Sequence, residues 1–330
     1  MTNVPVALIF FSRPENLRKT FEAIRNAKPK QLFLIQDGPR DDCFSDTEKI
    51  KECREIVSSV DWDCEIYKNY SEVNLGCGER VSSGVSWAFE HVDRLAIIED
   101  DCVPGPGFFV FCEELLERYK NDSRVNMISG MNNLGVYEGA PDDYFFAEEG
   151  SIWGWATWKR VWDDIDFNLD VLDDPYVVKL LANRRGKDFV KRCLKFRERL
   201  YKGEKMSSWS LQRAVNMYLN NGLIVVPKYN MIHNVGLGVG GANSGSSLRT
   251  VPRALRSIYF METYAIKTPL KHPRYISRDL FFESEIKKIM GKKSKAQALC
   301  RRCESFFYRI IFNEISFSRL FKKYFLRSNG

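Results

Sequence analysis

Over the first 130 residues, short apolar runs alternate with longer stretches in which apolar residues recur every three or four positions. The apolar runs predict five strands, at 4–11, 31–36, 64–67, 95–98 and 125–129. The stretches between them predict helices, for example at 45–60 and 108–119. Strands and helices at this spacing favour right-handed crossovers. The pattern therefore predicts an α/β protein with a mostly parallel sheet flanked by helices.

The fourth predicted strand runs directly into three consecutive carboxylates, Glu99, Asp100 and Asp101. Burying adjacent negative charges is costly unless each has a cation or a hydrogen-bond partner. Open parallel sheets bind ligands at the carboxyl ends of their strands, and carboxylate oxygens suit Mg²⁺ or Mn²⁺. The triplet is therefore a candidate metal site. The alternative is a solvated junction between a strand and a loop.

After about residue 135 the regular alternation ends. Trp155, Trp158 and Trp162 recur at spacings of three and four, which predicts one face of a helix. These rings fit either a buried aromatic core or the wall of an acceptor groove. Further along, the pattern predicts a helical pair at 175–202, a helix at 209–219, a strand at 222–226 and a glycine-rich loop at 236–245.

Composition allows a large buried core and separates a basic C-terminal segment from the rest of the chain. The chain has 330 residues, 44% of them hydrophobic, and a formal net charge of +7. Residues 287–330 hold twelve Lys or Arg and two Glu, a net charge of +10, so residues 1–286 carry −3. A body with this charge is not typical of nucleic-acid-binding proteins, and we expect no nucleic-acid partner.

The basic segment also has an apolar stripe at helical spacing, formed by Cys303, Phe307, Ile310, Phe317, Phe321 and Tyr324. A basic amphipathic helix rich in Phe is typical of proteins that lie on an anionic membrane surface. The alternative is a helix that packs on the body or on a partner protein. We divide the chain accordingly into 1–134, 135–250 and a helical basic tail at 251–330.

The expected location follows from what the sequence lacks. No apolar run is long enough to cross a bilayer, and the N-terminus does not have the pattern of a signal peptide. Nine cysteines without a repeated spacing are typical of reduced thiols and not of a disulfide framework. We therefore expect a cytoplasmic protein, with its tail as a means of peripheral attachment to the cytosolic face of the membrane.

A series of motifs, in order along the chain, resembles one enzyme family. An Arg follows the first strand, Asp37 ends the second, and residues 98–109 join the acidic triplet to a Pro and a Phe-Phe helix start. A Trp-Gly-Trp at 153–155 and the motif at 227–234 come later. The series resembles the GT-A nucleotide-sugar glycosyltransferases and is similar to N-acetylglucosaminyltransferase I and its bacterial relatives. The resemblance covers about residues 4–245 and implies a GT-A, Rossmann-like sheet.

The resemblance implies a role for each matching position. Those that would contact the nucleotide sugar are Arg13 beside the nucleotide, Asp37 at its base, Arg80 near the donor, Glu99 at the donor sugar and Asp100 at the ribose. Asp101 would bind the divalent cation, Mn²⁺ or Mg²⁺, which neutralises the departing diphosphate. His233 would be a further metal ligand or phosphate contact, or else a structural histidine bonded to the backbone.

The chain departs from the family at the expected catalytic base. Inverting enzymes of this kind need a carboxylate that deprotonates the acceptor hydroxyl, and the family places an Asp directly after a Trp. Here Trp209 is followed by Ser210, which cannot be that base unaided. Glu148 and Glu149 are the candidates for a base that has moved. A shifted motif alignment and a weakened catalyst are the alternatives.

The resemblance implies metal-dependent, inverting transfer of a hexose or N-acetylhexosamine from a nucleoside-diphosphate donor to a glycan. UDP is favoured by the resemblance alone, and the basic tail favours a lipid-linked acceptor in surface polysaccharide assembly. One alternative is a sugar nucleotidyltransferase, although residues 12–15 lack the glycine-rich basic loop typical of those enzymes. The other is a GT-A-like glycan- or membrane-binding module without activity, which Ser210 makes credible.

Overall fold

The centre of the molecule is a β-sheet in a computed structural model that describes residues 1–237, 248–290 and 295–312. The strands in those ranges are β1 (Val6–Phe10), β2 (Gln31–Gln36), β3 (Glu65–Tyr70), β4 (Arg94–Glu99), β5 (Cys102–Pro104), β6 (Val125–Ser129), β7 (Tyr144–Ala147), β8 (Trp155–Trp158), β9 (Leu223–Pro227) and β10 (Ile232–Asn234). Eight of them form one sheet in the order β3-β2-β1-β4-β8-β6-β9-β7, and β5 pairs with β10.

Six strands of the eight-stranded sheet run parallel, and β7 and β8 run the opposite way. The register aligns Ile9 of β1 with Ile35 of β2 on one side and with Glu99 of β4 on the other. These three strands therefore end at the same edge of the sheet. The predicted α/β class, with a mostly parallel sheet flanked by helices, is confirmed.

Helices flank the sheet and connect many of its strands. They are α1 (Pro14–Ala27), α2 (Ser45–Ser58), α3 (Cys77–Ala88), α4 (Phe108–Arg118), α5 (Lys159–Trp162), α6 (Pro175–Arg185), α7 (Lys187–Tyr201), α8 (Ser210–Leu219), α9 (Arg253–Arg256), α10 (Leu280–Ile289) and α11 (Lys295–Ile311). Short 3-10 helices lie at Asp170–Asp173 and Leu248–Thr250. A proline in its first turn favours the start of α1, where a backbone N–H has no helical partner.

Alternate residues of each central strand point to opposite faces of the sheet, and each face has its own hydrophobic core. In β1, Val6, Leu8 and Phe10 join the core that includes α1 and α4. Ala7 and Ile9 join the core that includes α3. All five side chains are buried. Burial on both faces explains the continuous apolar runs that predicted these strands.

The prediction of one helical face for Trp155, Trp158 and Trp162 is wrong. The first two belong to β8 and join different cores, and Trp162 lies in α5. A spacing of three residues suits a helix, but pairing of β8 with β4 and β6 decides the structure here. All three rings are buried, in agreement with the aromatic-core interpretation.

Other predicted elements agree with the structure within a few residues. The helical pair at 175–202 is confirmed as α6 and α7, which are separated by Gly186 with a φ of 86°. Most of the glycine-rich loop predicted at 236–245 lies outside the described residues. So do the predicted tail positions Phe317, Phe321 and Tyr324.

Residues 251–290, assigned to the tail from the sequence, pack on the body of the molecule. Phe282 and Ile286 of α10 are buried in the same core as residues of β7 and β9. The buried carboxylate of Glu283 accepts a hydrogen bond of 2.8 Å from the backbone N–H of Glu148. The body therefore extends at least to the end of α10.

Two expectations drawn from composition can be compared with the structure. Within the part of the chain that the structure describes, no helix combines the length and apolar character needed to cross a membrane. All nine cysteines are free, in agreement with their irregular spacing. Four of them, at 53, 102, 112 and 193, are buried.

Two neighbouring phenylalanines of α10 test whether this helix belongs to the core. Phe282 is fully buried and Phe281 is 83% exposed. We expect Phe282→Ala to lower the free energy of unfolding by about 3–5 kcal/mol, because it leaves a cavity among packed side chains. Phe281→Ala is the matched control and should change it by about 0.5 kcal/mol or less. Urea unfolding followed by circular dichroism measures both, and equal effects would contradict the packing of α10.

Candidate functional site

The carboxyl ends of β1, β2 and β4 border a cavity of about 470 Å³. Its walls include Arg13, which follows β1, Asp37, which follows β2, and the acidic residues 99–101 at the end of β4. A pocket of this size is typical of sites for small organic ligands. Because the carboxyl ends of parallel strands meet at one edge, residues far apart in the sequence lie together here.

Arg13 neutralises two members of the acidic triplet. Its guanidinium is ion-paired with the carboxylate of Asp100, and its Nη1 lies 2.7 Å from Oδ2 of Asp101. The backbone N–H of Phe11 donates a further hydrogen bond of 3.2 Å to Asp100. Burial raises the pKa of Asp100 to about 6, although the charge of Arg13 opposes this shift. Burial would lower the pKa of Arg13, but the charges of Asp100 and Asp101 outweigh it and raise the pKa.

Glu99 is the member of the triplet that Arg13 does not pair. Its side chain is half-buried, and among the described residues no hydrogen bond or ion pair reaches its carboxylate. Burial, followed by the charges of Asp101 and Asp100, raises the pKa of Glu99 to about 8. Glu99 therefore borders the cavity with its hydrogen-bonding capacity unused.

Asp37 holds the loop that leads into α3. Its Oδ1 accepts hydrogen bonds from the backbone N–H groups of Gly38 at 3.0 Å and Leu75 at 2.8 Å. Its Oδ2 accepts from the backbone N–H of Gly76 at 2.9 Å and from the side-chain amide of Asn74 at 3.2 Å. A carboxylate offers about four acceptor positions, and all are filled. As described, Asp37 is a positioning residue without a vacant acceptor for the predicted contact to a nucleotide base.

Arg80 is a buried cation that lines the cavity without a carboxylate partner. Its Nε donates to the carbonyl oxygen of Gln36 at 3.1 Å, and its Nη2 donates to the side-chain oxygen of Asn69 at 2.7 Å. No ion pair with a described residue balances its charge. Burial lowers the pKa of Arg80, and the charge of Asp37 offsets this in part. Such a group suits an anionic ligand.

The start of α8, which includes Ser210, forms another wall of the cavity. Trp209 stacks on Trp155, with ring centroids 5.1 Å apart, and this contact fixes the entry to the helix. Ser208 and Ser210 line the cavity, and their hydroxyl oxygens lie 2.9 Å apart. The backbone N–H of Ser210 also donates to the Ser208 hydroxyl at 3.3 Å. The wall therefore offers hydroxyl groups and no carboxylate.

An aromatic wall that includes Tyr259 was not predicted from the sequence. Tyr259 and Trp153 both line the cavity, with ring centroids 5.2 Å apart. The backbone N–H of Phe260 donates to the carbonyl oxygen of Asn234 at 3.1 Å, which anchors this segment beside β10. Burial, and then the charge of Asp101, raises the pKa of Tyr259. No local pattern marks Tyr259, because a contact distant in sequence brings it to the cavity.

Glu148 and Glu149, the predicted bases, are not among the residues that line the cavity. Glu148 is buried, and its Oε1 forms ion pairs with Arg184 and, at 2.9 Å, with Arg278. Glu149 pairs with Arg185 at 2.7 Å. Both carboxylates are committed to structural ion pairs, which argues against their use as a base at this cavity.

His233, the predicted metal ligand, is also absent from the cavity lining. Its Nδ1 lies 2.8 Å from the carbonyl oxygen of Met261, which can only accept a hydrogen bond. Its ring also contacts that of Phe260, with centroids 5.8 Å apart. These contacts favour the alternative of a structural histidine bonded to the backbone.

The divalent cation implied by the resemblance would have Asp101 as its carboxylate ligand here. Asp101 lines the cavity, and a carboxylate oxygen is the type of ligand that Mg²⁺ and Mn²⁺ prefer. Among the described residues, no three His, Cys, Asp or Glu side chains converge closely enough to hold a metal ion. This donor set fits a cation that takes most of its ligands from bound phosphates and water, as Mg²⁺ often does.

Comparison with known proteins leaves the family open. No protein-family model and no curated protein sequence matches this chain. Similar solved structures include a UDP-glucose pyrophosphorylase from Acinetobacter baumanii, at 10% identity and a TM-score of 0.36 over 70% of this chain and 88% of that one. Galactosyltransferase LgtC, in complex with donor and acceptor sugar analogs, has 9% identity and a TM-score of 0.35 over 68% and 73%. An inositol-1-phosphate CTP transferase from T. maritima has 8% identity and a TM-score of 0.33 over 70% of this chain and 89% of that one.

Likenesses at these scores carry no argument about activity, so the class of the protein rests on its own sheet and cavity. The sheet is Rossmann-like, with its parallel strands ending at one edge. At that edge lies a cavity lined by both anionic and cationic side chains. The molecule is therefore an α/β protein with a charged ligand cavity at the carboxyl edge of its sheet.

Asp37→Asn tests whether Asp37 positions the loop before α3. The substitution replaces an acceptor oxygen by an NH₂ group that faces backbone N–H donors. Because hydrogen bonds to charged groups contribute about 1.5–3 kcal/mol each, we expect the free energy of unfolding to fall by about 3 kcal/mol. Asp42 is exposed, and Asp42→Asn should change the free energy of unfolding by about 0.5 kcal/mol or less. Denaturant unfolding of both variants decides, and an unchanged Asp37→Asn would rule out the positioning role.

Proposed function

We propose that this protein is a glycosyltransferase that moves a sugar from a nucleoside-diphosphate donor, with UDP-sugars favoured, to a glycan. The observation that carries the proposal is that two groups without an ion-pair partner among the described residues line one cavity. They are the carboxyl group of Glu99 and the buried guanidinium of Arg80. A donor of this class has sugar hydroxyls that can donate to Glu99 and phosphates that can accept from Arg80. The hexosyl or N-acetylhexosaminyl class of the sugar is proposed from the resemblance.

The chemistry of transfer suits the charges around this cavity. When the bond between sugar and diphosphate breaks, negative charge develops on the leaving group, and preorganised cations stabilise it. Arg80 is held for this task by its hydrogen bonds to Gln36 and Asn69. We propose Asp101 as the ligand of a divalent cation, which would supply further charge stabilisation. Asp100 is too deeply buried and too closely paired with Arg13 to serve as a free base.

The stereochemical course remains tied to the identity of the base. Inversion is proposed from the resemblance, and Glu148 and Glu149 do not reach the cavity lining. Ser210 stands at the first position of α8, where an Asp would face the cavity. NMR of the product's anomeric configuration tests inversion directly.

The connection after the first strand supports sugar transfer over nucleotidyl transfer. Only residues 11–13 separate β1 from α1, and none of them is a glycine. The glycine-rich basic loop that typically wraps the triphosphate in sugar nucleotidyltransferases has no room in this connection. Release of pyrophosphate from a nucleoside triphosphate and a sugar phosphate would overturn this choice.

Thermal stability in the presence of nucleotides tests the proposed donor. UDP and UDP-sugars, with and without MnCl₂, should raise the melting temperature, because a ligand that binds the native state stabilises it by mass action. Glu99→Gln should leave the affinity for UDP unchanged and weaken that for the UDP-sugar by about tenfold, since the contact is to the sugar. Isothermal titration calorimetry measures both constants.

The exposed Glu90 supplies the matched control for this experiment. Glu90→Gln makes the same substitution away from the cavity lining and should bind UDP and UDP-sugar like the parent. If Glu99→Gln weakened both ligands equally, the proposed contact to the sugar would be wrong. If no nucleotide bound the parent protein, the proposal of a glycosyltransferase would fall.

We further propose peripheral attachment to an anionic membrane surface through α11, with a lipid-linked glycan as acceptor in surface polysaccharide assembly. One side of α11 packs on the body, where Glu304 accepts from the backbone N–H of Arg253 at 2.9 Å and Tyr308 lies under the guanidinium of Arg256. Phe307 and Ile311 are 59% and 67% exposed. A basic segment with exposed apolar side chains suits an anionic bilayer.

Phe307→Asp in the full-length chain tests this surface. Losing a side chain that enters the bilayer boundary should reduce binding to vesicles of phosphatidylcholine and phosphatidylserine by about tenfold or more. Phe44 is 97% exposed and far from α11 in the sequence, so Phe44→Asp is the matched control and should bind as the parent does. Sedimentation with vesicles gives the partition coefficients. If Phe307→Asp altered only the oligomeric state in light scattering, the surface would be a protein interface.

A further inference from the structure

The ion pairs of Arg13 lead to an inference about how ligands enter the cavity, which rests on the proposed function. We propose that Arg13 keeps the carboxylate of Asp101 from binding a divalent cation until a nucleoside diphosphate is bound. Cation and nucleotide then bind cooperatively. Arg13 is then a positioning residue that couples the two ligands. In the absence of nucleotide, the cation should bind weakly.

The contacts of Asp101 show what a cation would have to displace. Its Oδ2 lies 2.7 Å from Nη1 of Arg13, and its Oδ1 accepts a weak hydrogen bond from the Cys102 thiol at 3.3 Å. The side chain of Asp101 is 15% exposed and lines the cavity. Arg13 is therefore the charged partner that neutralises the carboxylate, and it occupies an oxygen that a metal would use.

Arg13 has a second anchor, which lets it leave Asp101 without losing all its pairing. It also pairs with Asp100. The carboxylate of Asp100 accepts a further hydrogen bond from the Phe11 backbone N–H, so Arg13 is not its only partner. A diphosphate in the cavity would offer the freed guanidinium N–H groups a new anionic acceptor. The nucleotide thus favours release of Asp101, and by linkage the cation must favour the nucleotide by the same factor.

Binding of Mn²⁺ without nucleotide tests the inference, with electron paramagnetic resonance of free Mn²⁺ as the readout. We expect Arg13→Gln to bind Mn²⁺ about tenfold or more tightly than the parent, and Arg13→Lys, which cannot bridge both carboxylates, to lie between them. In an Asp101→Asn background, Arg13→Gln should bring no gain. Thermal melting confirms that each variant is folded, and Arg13→Lys decides the question if Arg13→Gln is not.

A loss of positive charge alone could also strengthen cation binding, and Lys205 supplies the control. Lys205 is exposed, and its Nζ contacts the carbonyl oxygen of Asn74 at the cavity wall. Lys205→Gln removes one charge without touching Asp101 and should change Mn²⁺ affinity about twofold or less. Equal gains in Lys205→Gln and Arg13→Gln, or a gain that persists in Asp101→Asn, would overturn the inference.

The cooperative part is measured by repeating the Mn²⁺ titration with saturating UDP. UDP should raise the affinity for Mn²⁺ in both proteins, because its phosphates bind the cation directly, but about tenfold more in the parent, where it also releases Asp101 from Arg13. An equal rise in both proteins would overturn the coupling role of Arg13. If UDP does not bind at all, the proposed function fails, while the titrations without nucleotide still decide whether Arg13 holds Asp101.

Discussion

The ion pairs of Arg13 with Asp100 and Asp101 allow the sheet to end in an acidic cluster. Three adjacent carboxylates repel one another, and burial adds a desolvation cost to each charge. Arg13 reaches two of them from the short connection between β1 and α1, and the Phe11 backbone N–H supports Asp100. The central strands can therefore keep their close packing while anionic groups face a cavity.

The polar groups that the described residues leave without an ion-pair partner mark the cavity as a candidate binding site. Glu99 has no partner among the described residues, and burial with two neighbouring charges raises its pKa to about 8. Arg80 is buried and lacks a carboxylate partner. By contrast, all the acceptor positions of Asp37 are filled by hydrogen bonds, mostly from the loop before α3. Selection for stability alone would favour partners for Glu99 and Arg80 within the protein. A ligand with hydroxyls and phosphates can instead form hydrogen bonds with both.

Segments far apart in the chain build the cavity and its support together. Tyr259 comes from beyond residue 250 and lines the same cavity as the ends of β1, β2 and β4. Further along, Arg278 pairs with Glu148, and Phe282 enters the core beside β7. The C-terminal part of the body is therefore part of the site's framework, and α11 beyond it presents exposed apolar side chains such as Phe307 and Ile311.

Local patterns were sufficient for the central parallel strands β1, β2, β4 and β6, because these strands are buried on both faces and appear as continuous apolar runs. Strand-end geometry predicted that residues 99–101 would face a ligand site at one edge of the sheet, and the family resemblance placed Arg13 and Arg80 near the same ligand. Tertiary contacts alone decided that Trp155 and Trp158 lie in a strand and that Tyr259 reaches the cavity. They also decided that Glu148 forms ion pairs with two arginines. Each of these depends on partners distant in sequence, and no local spacing of residue types records such contacts.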